Sequence, residues 1–254
     1  MNSLQLTKYA FSFRFTNTTV LPHFMGNTFR GAFGASLEKI GSPMYNDVFK
    51  VTKSESIPNP YVISVPYPGK GKYDIGDSIT FYITLVGDAC LYEEELVKTV
   101  KNMNMGKLEN SECIDASIVF SSTWSDKGAE SIPLCERLTV RFLSPTEILR
   151  KKAPILKPDF YDFIDSVFIR IGGIIDNYTS NLFVLPYSYI TAKPFVTAEY
   201  DLKTVSLQTH SGFTGTIRYY GDVTRYLPYI DLCGQIHIGK KTTRSCGEYE
   251  FELD

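Results

Sequence analysis

Alternation of apolar and polar positions marks the strands of this chain. Phe11, Phe13 and Phe15 fall on one face of an extended segment, with Ser12 and Arg14 on the other. That is the period of two expected of a half-buried strand. The run Ser78-Ile-Thr-Phe-Tyr-Ile-Thr-Leu-Val86 repeats it. Residues 117–121 and 138–142 read as further strands, rich in the β-branched and aromatic residues that fit a pleated surface. Between these runs the spacing changes to three and four. Asn27 is placed to cap a helix in which Phe29, Phe33, Leu37 and Ile40 share a face, ended by Gly41-Ser-Pro43. A second helix is predicted over 92–103, opening on Glu93, Glu94 and Glu95, whose charge suits a helix N-terminus, with Gly106 beyond its end. A third starts at Pro158-Asp159 and carries the stripe Phe160, Phe163, Ile164, Val167, Phe168 and Ile171; a short fourth is predicted over 223–232.

The order is then strand, helix, strands, helix, strand, repeated after a break. The polar, turn-prone stretch 121–133 is where the break is expected. Each half fits the βαββαβ ferredoxin-like (RRM-like) unit, a sheet with two helices on one face. The expected fold is therefore α+β, with tandem ferredoxin-like domains at 1–125 and 126–254, the second holding a glycine-rich loop. No repeat of sequence links the halves.

Composition narrows the class. The 254 residues are 43% hydrophobic and 21% charged, an ordinary globular balance that argues against disorder. No apolar run reaches the ~20 residues of a membrane span, and the opening MNSLQLTKYAFSFRF lacks the features of a secretory signal. A cytoplasmic chain without a membrane partner is expected. Five cysteines, none at metal-ligand spacing, predict neither a zinc site nor structural disulfides. The formal net charge of -2 argues against non-specific coating by nucleic acid but leaves room for a local basic groove.

Three stretches carry candidate chemistry. In Leu21-Pro-His-Phe-Met-Gly-Asn-Thr-Phe-Arg-Gly-Ala-Phe-Gly34, glycines inside a helix cost about 1 kcal/mol each, so Gly31 and Gly34 need a reason. Close packing on the sheet is the commoner one; a smooth face open to a partner backbone is the other. The second stretch is Gly212-Phe-Thr-Gly-Thr-Ile-Arg-Tyr-Tyr-Gly-Asp222. The third runs from Gly234 to Tyr249 and reads as two short strands flanking a loop, 239–247, with Lys240, Lys241, Thr242, Thr243, Arg244 and Ser245 between glycines. Backbone N–H groups, hydroxyls and cations in such a loop suit a phosphate backbone; a solvated hairpin with edge-protecting charges has the same composition. Nothing matches a Walker loop, GxSxG, HExxH or a Rossmann fingerprint. The three histidines, His23, His210 and His237, are each candidates because imidazole carries protons near neutral pH.

Together these stretches resemble the RAMP superfamily of CRISPR systems, most closely its precursor-CRISPR-RNA processing endoribonucleases. LPHFMGNTFRGAFG is similar to the family's LP-x-F-x-G-x-x-x-RGAFG segment, YDIGDSITFYITLVGDA to its middle strand, and GFTGTIRYYGD with GQIHIGKKTTRSCGEY to its C-terminal pair. The resemblance covers nearly the whole chain. It implies tandem ferredoxin-like domains and cleavage of CRISPR repeat RNA without metal or cofactor. The ribose 2′-OH would attack the adjacent phosphate, giving a 2′,3′-cyclic phosphate and a 5′-OH. Repeat RNA or mature crRNA is the implied partner, with other CRISPR effector subunits besides. The alternative within the superfamily is a non-cleaving RNA-binding subunit of an effector complex.

Members often place the general-base histidine just after the first helix, where this chain has Gly41-Ser-Pro-Met-Tyr45. The resemblance therefore turns attention to His23 as base, assisted by Tyr45, with Arg30 and Lys39 on the first helix neutralising the scissile phosphate. Lys240, Lys241 and Arg244 would contact phosphates, with Gly239, Arg218, His210 and His237 beside them. Arg141, Arg150, Lys151, Lys152 and Lys157 add a basic stretch suited to a stem or to a solvated linker. The acidic groups at 93–95 and at Asp159, Asp162 and Asp165 are expected to face away. The loop departs from the family in having Arg-Ser-Cys-Gly where Gly-aromatic-Gly is usual.

Overall fold

In the computed structural model, residues 3–50, 57–104, 106–125, 134–179, 185–191, 195–207 and 210–253 are described. The first half contains β1 (Ser3–Phe15), β2 (Thr19–Val20), α1 (Gly26–Lys39), β3 (Tyr61–Ser64), β4 (Lys72–Tyr73), β5 (Ser78–Val86), α2 (Glu93–Lys101) and β6 (Ser111–Ser125). The second contains β7 (Arg137–Thr146), β8 (Ile148–Arg150), β9 (Ala153–Ile155), α3 (Phe160–Tyr178), α4 (Ser188–Thr191), β10 (Thr197–Leu207), β11 (His210–Tyr220), α5 (Leu227–Ile236) and β12 (Tyr249–Leu253). The main sheets run β3-β5-β1-β6 and β10-β11-β7-β12, antiparallel throughout. Both orders place the last strand beside the first, as the βαββαβ unit requires, so the fold is tandem ferredoxin-like.

The alternation in β1 does what its pattern predicts. Phe11, Phe13 and Phe15 are buried, and Phe11 sits opposite Phe81 of β5. Phe29, Phe33 and Leu37 of α1 close the same core. In the second half, Phe142, Phe160, Phe163, Tyr219 and Tyr249 form an aromatic cluster under α3 and α5. The halves share material: Leu4 and Leu6 of β1 belong to the second core, and Trp124 donates to the Pro228 carbonyl at 3.1 Å.

Local details differ from the sequence reading. Met25, not Asn27, precedes the first helical residue, and no side chain caps α1. Residues 121–125 are not part of a break but continue β6, where Trp124 finds its partner across the halves; 126–133 lie outside the described residues. The fourth helix starts as a tight turn at Thr224–Tyr226 and then runs through Ile236. The strand expected before the glycine-rich loop is thus the end of α5. At α3, Asp159 and Asp162 form a reciprocal capping box, and Arg150 is ion-paired with both, so Arg150 is committed to the fold. No helix among the described residues is long and apolar enough to cross a membrane.

Candidate nucleic-acid interface

The glycine-rich loop is strapped to the end of β7. Lys240 N–H donates to the Glu147 carbonyl at 3.0 Å, and Gly247 N–H to that of Pro145 at 3.1 Å. Gly239 has φ +71°, and a Cβ there would overlap the Glu147 carbonyl. Three non-glycine residues, His237, Lys241 and Ser245, are also left-handed, at φ 58°, 62° and 61°. Such residues each cost on the order of 1–3 kcal/mol and persist only where surrounding contacts over-determine them. Two of the three, Ser245 and His237, are held by contacts from the first half. Ser245 Oγ accepts from Val65 N–H at 2.9 Å, just past the end of β3.

His237 supplies the second strap. Its side chain is 2% exposed. Nδ1 lies 3.0 Å from the Cys246 carbonyl and Nε2 3.0 Å from Ser64 Oγ. A carbonyl only accepts, so the proton sits on Nδ1 and Nε2 accepts from the serine hydroxyl. Burial, with Lys8 and Arg170 nearby, pushes the imidazole down to about 3. This corrects the expectation that His237 contacts RNA: it is a neutral, internal crosspiece joining β3 to the loop.

The outer side of the loop meets the start of α1. Gly26 lies against the Arg244 carbonyl, which any Cβ at 26 would overlap. Arg30 donates through Nε to Thr243 Oγ1 at 3.3 Å, and its guanidinium lies 4.6 Å from the Phe49 ring centroid. Beneath them Tyr61 is fully buried, its phenol pushed up to about 12 by burial. His23 is exposed, in the segment that leads into α1. It is folded back on the 67–71 segment: its carbonyl accepts from Gly69 N–H at 2.8 Å, and its Nδ1 lies 2.8 Å from the Gly69 carbonyl. Nδ1 therefore carries the proton, and among the described residues no hydrogen bond engages the Nε2 lone pair. Chain length limits the distance from His23 to Gly26 to roughly 11 Å.

The two explanations for the helix glycines separate here. A Cβ on Gly34 would enter the Phe49 ring, so packing accounts for it. Gly31 is exposed with open space where a Cβ would stand, which leaves the smooth face beside Arg30. Gly31→Ala is expected to raise stability by roughly 0.5–1 kcal/mol. Gly26→Ala is expected to lower it by about 1–3 kcal/mol, because the obstructing atoms are backbone. Denaturant titration of both checks the pair; equal effects would show that α1 does not seat on the loop.

The other expected residues divide by position. Lys240 is exposed on the loop, and Arg244 is half-buried. Lys241 is ion-paired with Glu147 at 3.4 Å. Tyr45 reaches the site through Phe49, on which it stacks at 5.7 Å. Lys39 is the last residue of α1, thirteen positions or about 20 Å of helix from Gly26. Arg218 pairs with Thr139 on β7, about 20 Å along the strand from the loop's anchor at 145–147. Lys39 and Arg218 are thus not brought to the loop. His210 begins β11 at the end of the sheet nearer the loop; its side chain lies outside the described residues. Asp165, expected to face away, lines the cleft beside the loop. Sequence reasoning missed Phe49 and Ser64. No local pattern marks Ser64, but Phe49 lies in an aromatic-rich run after α1.

Residues 140–249 match the family model of the CRISPR-associated endoribonuclease Cas6, and residues 4–114 match a model described as an N-terminal domain, AF_1859_N. No curated protein sequence matches the chain. Among solved structures, a Thermus thermophilus Cas6 is similar at 14% identity and TM-score 0.67, over 99% of this chain and 100% of that one. A Cas6 product complex is similar at 13% identity and TM-score 0.69, over 97% and 99%. A chain of a partial Cas6-RT-Cas1–Cas2 complex is similar at 12% identity and TM-score 0.71, over 99% of this chain and 46% of that one. At these identities the likeness is one of fold.

Proposed function

We propose that this chain, which carries a CRISPR-associated endoribonuclease Cas6 domain over residues 140–249, binds CRISPR repeat RNA and cleaves it by metal-independent attack of a ribose 2′-OH. The observation that carries the reading is the junction of α1 with the glycine-rich loop, where Arg30 meets Thr243, with the exposed His23 three residues ahead of Gly26 in the segment that leads into α1. His23 Nε2 takes the proton of the 2′-OH. The 2′-oxygen bonds to phosphorus, the bond to the 5′-oxygen breaks, and that oxygen takes a proton from water, the hydroxide left behind taking the proton held by His23. Products are a 2′,3′-cyclic phosphate and a 5′-OH. Arg30, whose guanidinium is a fixed charge, stabilises the oxygens that gain charge at phosphorus. Lys240 and Arg244 hold neighbouring phosphates, and the rigid straps behind the loop keep them in place, which is how positioning lowers the barrier. Partners are the repeat RNA, its crRNA product and other CRISPR effector subunits.

Binding tests the first half of this reading. Contacts from Arg30, Lys240 and Arg244 to three phosphates of a single strand predict that log K falls with log salt at a slope of about −2. Lys240→Ala and Arg244→Ala should each flatten it by about 0.7 and weaken all RNA sequences alike. Affinity for a repeat RNA that ignores salt between 50 and 300 mM would remove the phosphate-binding role of the loop.

A further inference from the structure

The loop has a second flank. A cleft of about 360 Å³ opens between the loop, α3 and the β8–β9 hairpin, and Arg170, Lys152, Lys240, Lys241, Leu149 and Ile169 line it. Its volume is in the range of small-ligand sites.

Arg170 is the unexplained residue. It is 4% exposed, and among the described residues the one acceptor for its guanidinium is the Ile236 carbonyl, 3.2 Å from Nε. Among the described residues Nη2 is buried with no acceptor, and no ion pair there involves Arg170. A guanidinium has five N–H donors and holds its charge, so burying it with no anion is expensive. Burial lowers it only to about 10, so it is charged at neutral pH. The rim repeats the sign. Lys151 and Lys152 form the two-residue turn between β8 and β9, with φ 51° and 69°. That turn ordinarily takes Asn-Gly; here strained backbone presents a lysine to the cleft. Two carboxylates face the same space. Glu147 is held by Lys241 at 3.4 Å, and Asp165 is raised by burial and by Asp162. Positive charge remains in excess. Ile169, 63% exposed, and Leu149 supply an apolar wall.

We propose that this cleft is a subsite for one unpaired nucleotide of the bound RNA, its phosphate on Arg170 and Lys152 and its base against Ile169 and Leu149. The proposal rests on the RNA-binding reading above and adds a contact on the loop's other flank. The test is a set of repeat RNAs each carrying one neutral methylphosphonate, bound to wild type, Arg170→Met and Lys152→Ala, with melting temperatures measured in parallel. One position should weaken wild type about tenfold and weaken Arg170→Met no further, with Lys152→Ala showing the same coupling more weakly. If Arg170→Met does not fold, the Lys152→Ala coupling decides. RNA that wild type binds with coupling at no position, or variants that weaken every oligonucleotide equally, would overturn the cleft and leave the RNA reading intact. Wild type that binds no repeat RNA would overturn both.

Discussion

His23→Ala is expected to slow cleavage of a cognate repeat roughly 10²–10⁴-fold, the usual contribution of a positioned general base, while RNA affinity changes by no more than about twofold. The size follows from geometry. The ring's Nδ1 is committed to the Gly69 carbonyl at 2.8 Å, so the basic nitrogen left to the substrate is Nε2. The side chain is exposed, so removing it opens no cavity in the core, and any loss of rate is separable from loss of fold. Its place three residues ahead of Gly26 holds it within roughly 11 Å of the residue that abuts Arg244. The assay is cleavage of a labelled repeat in EDTA with the product ends typed. Loss of cutting with binding retained places His23 in the chemistry. Equal cutting by both proteins would move the base elsewhere, and binding without cutting by wild type would identify an RNA-holding subunit instead.

Much of the fold was legible because burial and periodicity agree over long segments. Phe29, Phe33 and Leu37 announced α1, and the alternation of 11–15 and 78–86 announced the central strand pair, whose observed register sets Phe11 against Phe81. The misreadings have a common cause in short, ambiguous runs. Gln235-Ile-His-Ile238 alternates like a strand, but Tyr229, Leu232, Cys233 and Ile236 are the buried face of α5, and the longer period wins. Ending the helix there turns His237 inward, which residue type alone does not reveal. Arg218 looked close to the loop because it belongs to the same C-terminal sheet, but it lies eight residues along β11 from His210. A strand advances about 3.3 Å per residue, so sequence neighbours on it separate quickly. Lys39 fails on the same arithmetic along a helix. Arg30 and the loop are 213 positions apart in sequence, and the two-fold repetition of the βαββαβ unit is what brings them together.

The inward turn of His237 has a cost that acid should expose. Its imidazole is held down to about 3 in the folded state, against about 6.5 in an unfolded chain. Above pH 6.5 the ring is neutral in both states and no penalty exists. Below it the unfolded chain takes up a proton that the folded protein refuses, so stability falls as pH drops from 6.5 toward 3, by about 1.4 kcal/mol per pH unit. Roughly 2 kcal/mol should be lost by pH 5 from this group alone. Glu248, Asp165 and Asp231 are raised by burial and act in the opposite sense at lower pH, so the difference between wild type and a variant is the clean quantity. His237→Gln keeps a polar side chain between Ser64 and Cys246 but cannot take up the proton. Its stability at pH 7 should be lower than wild type, and its decline between pH 6.5 and 5 shallower by most of that 2 kcal/mol. Parallel declines in the two proteins would mean that His237 is open to protonation in the folded state. The loop's anchor to β3 would then be looser than a buried, doubly bonded imidazole allows.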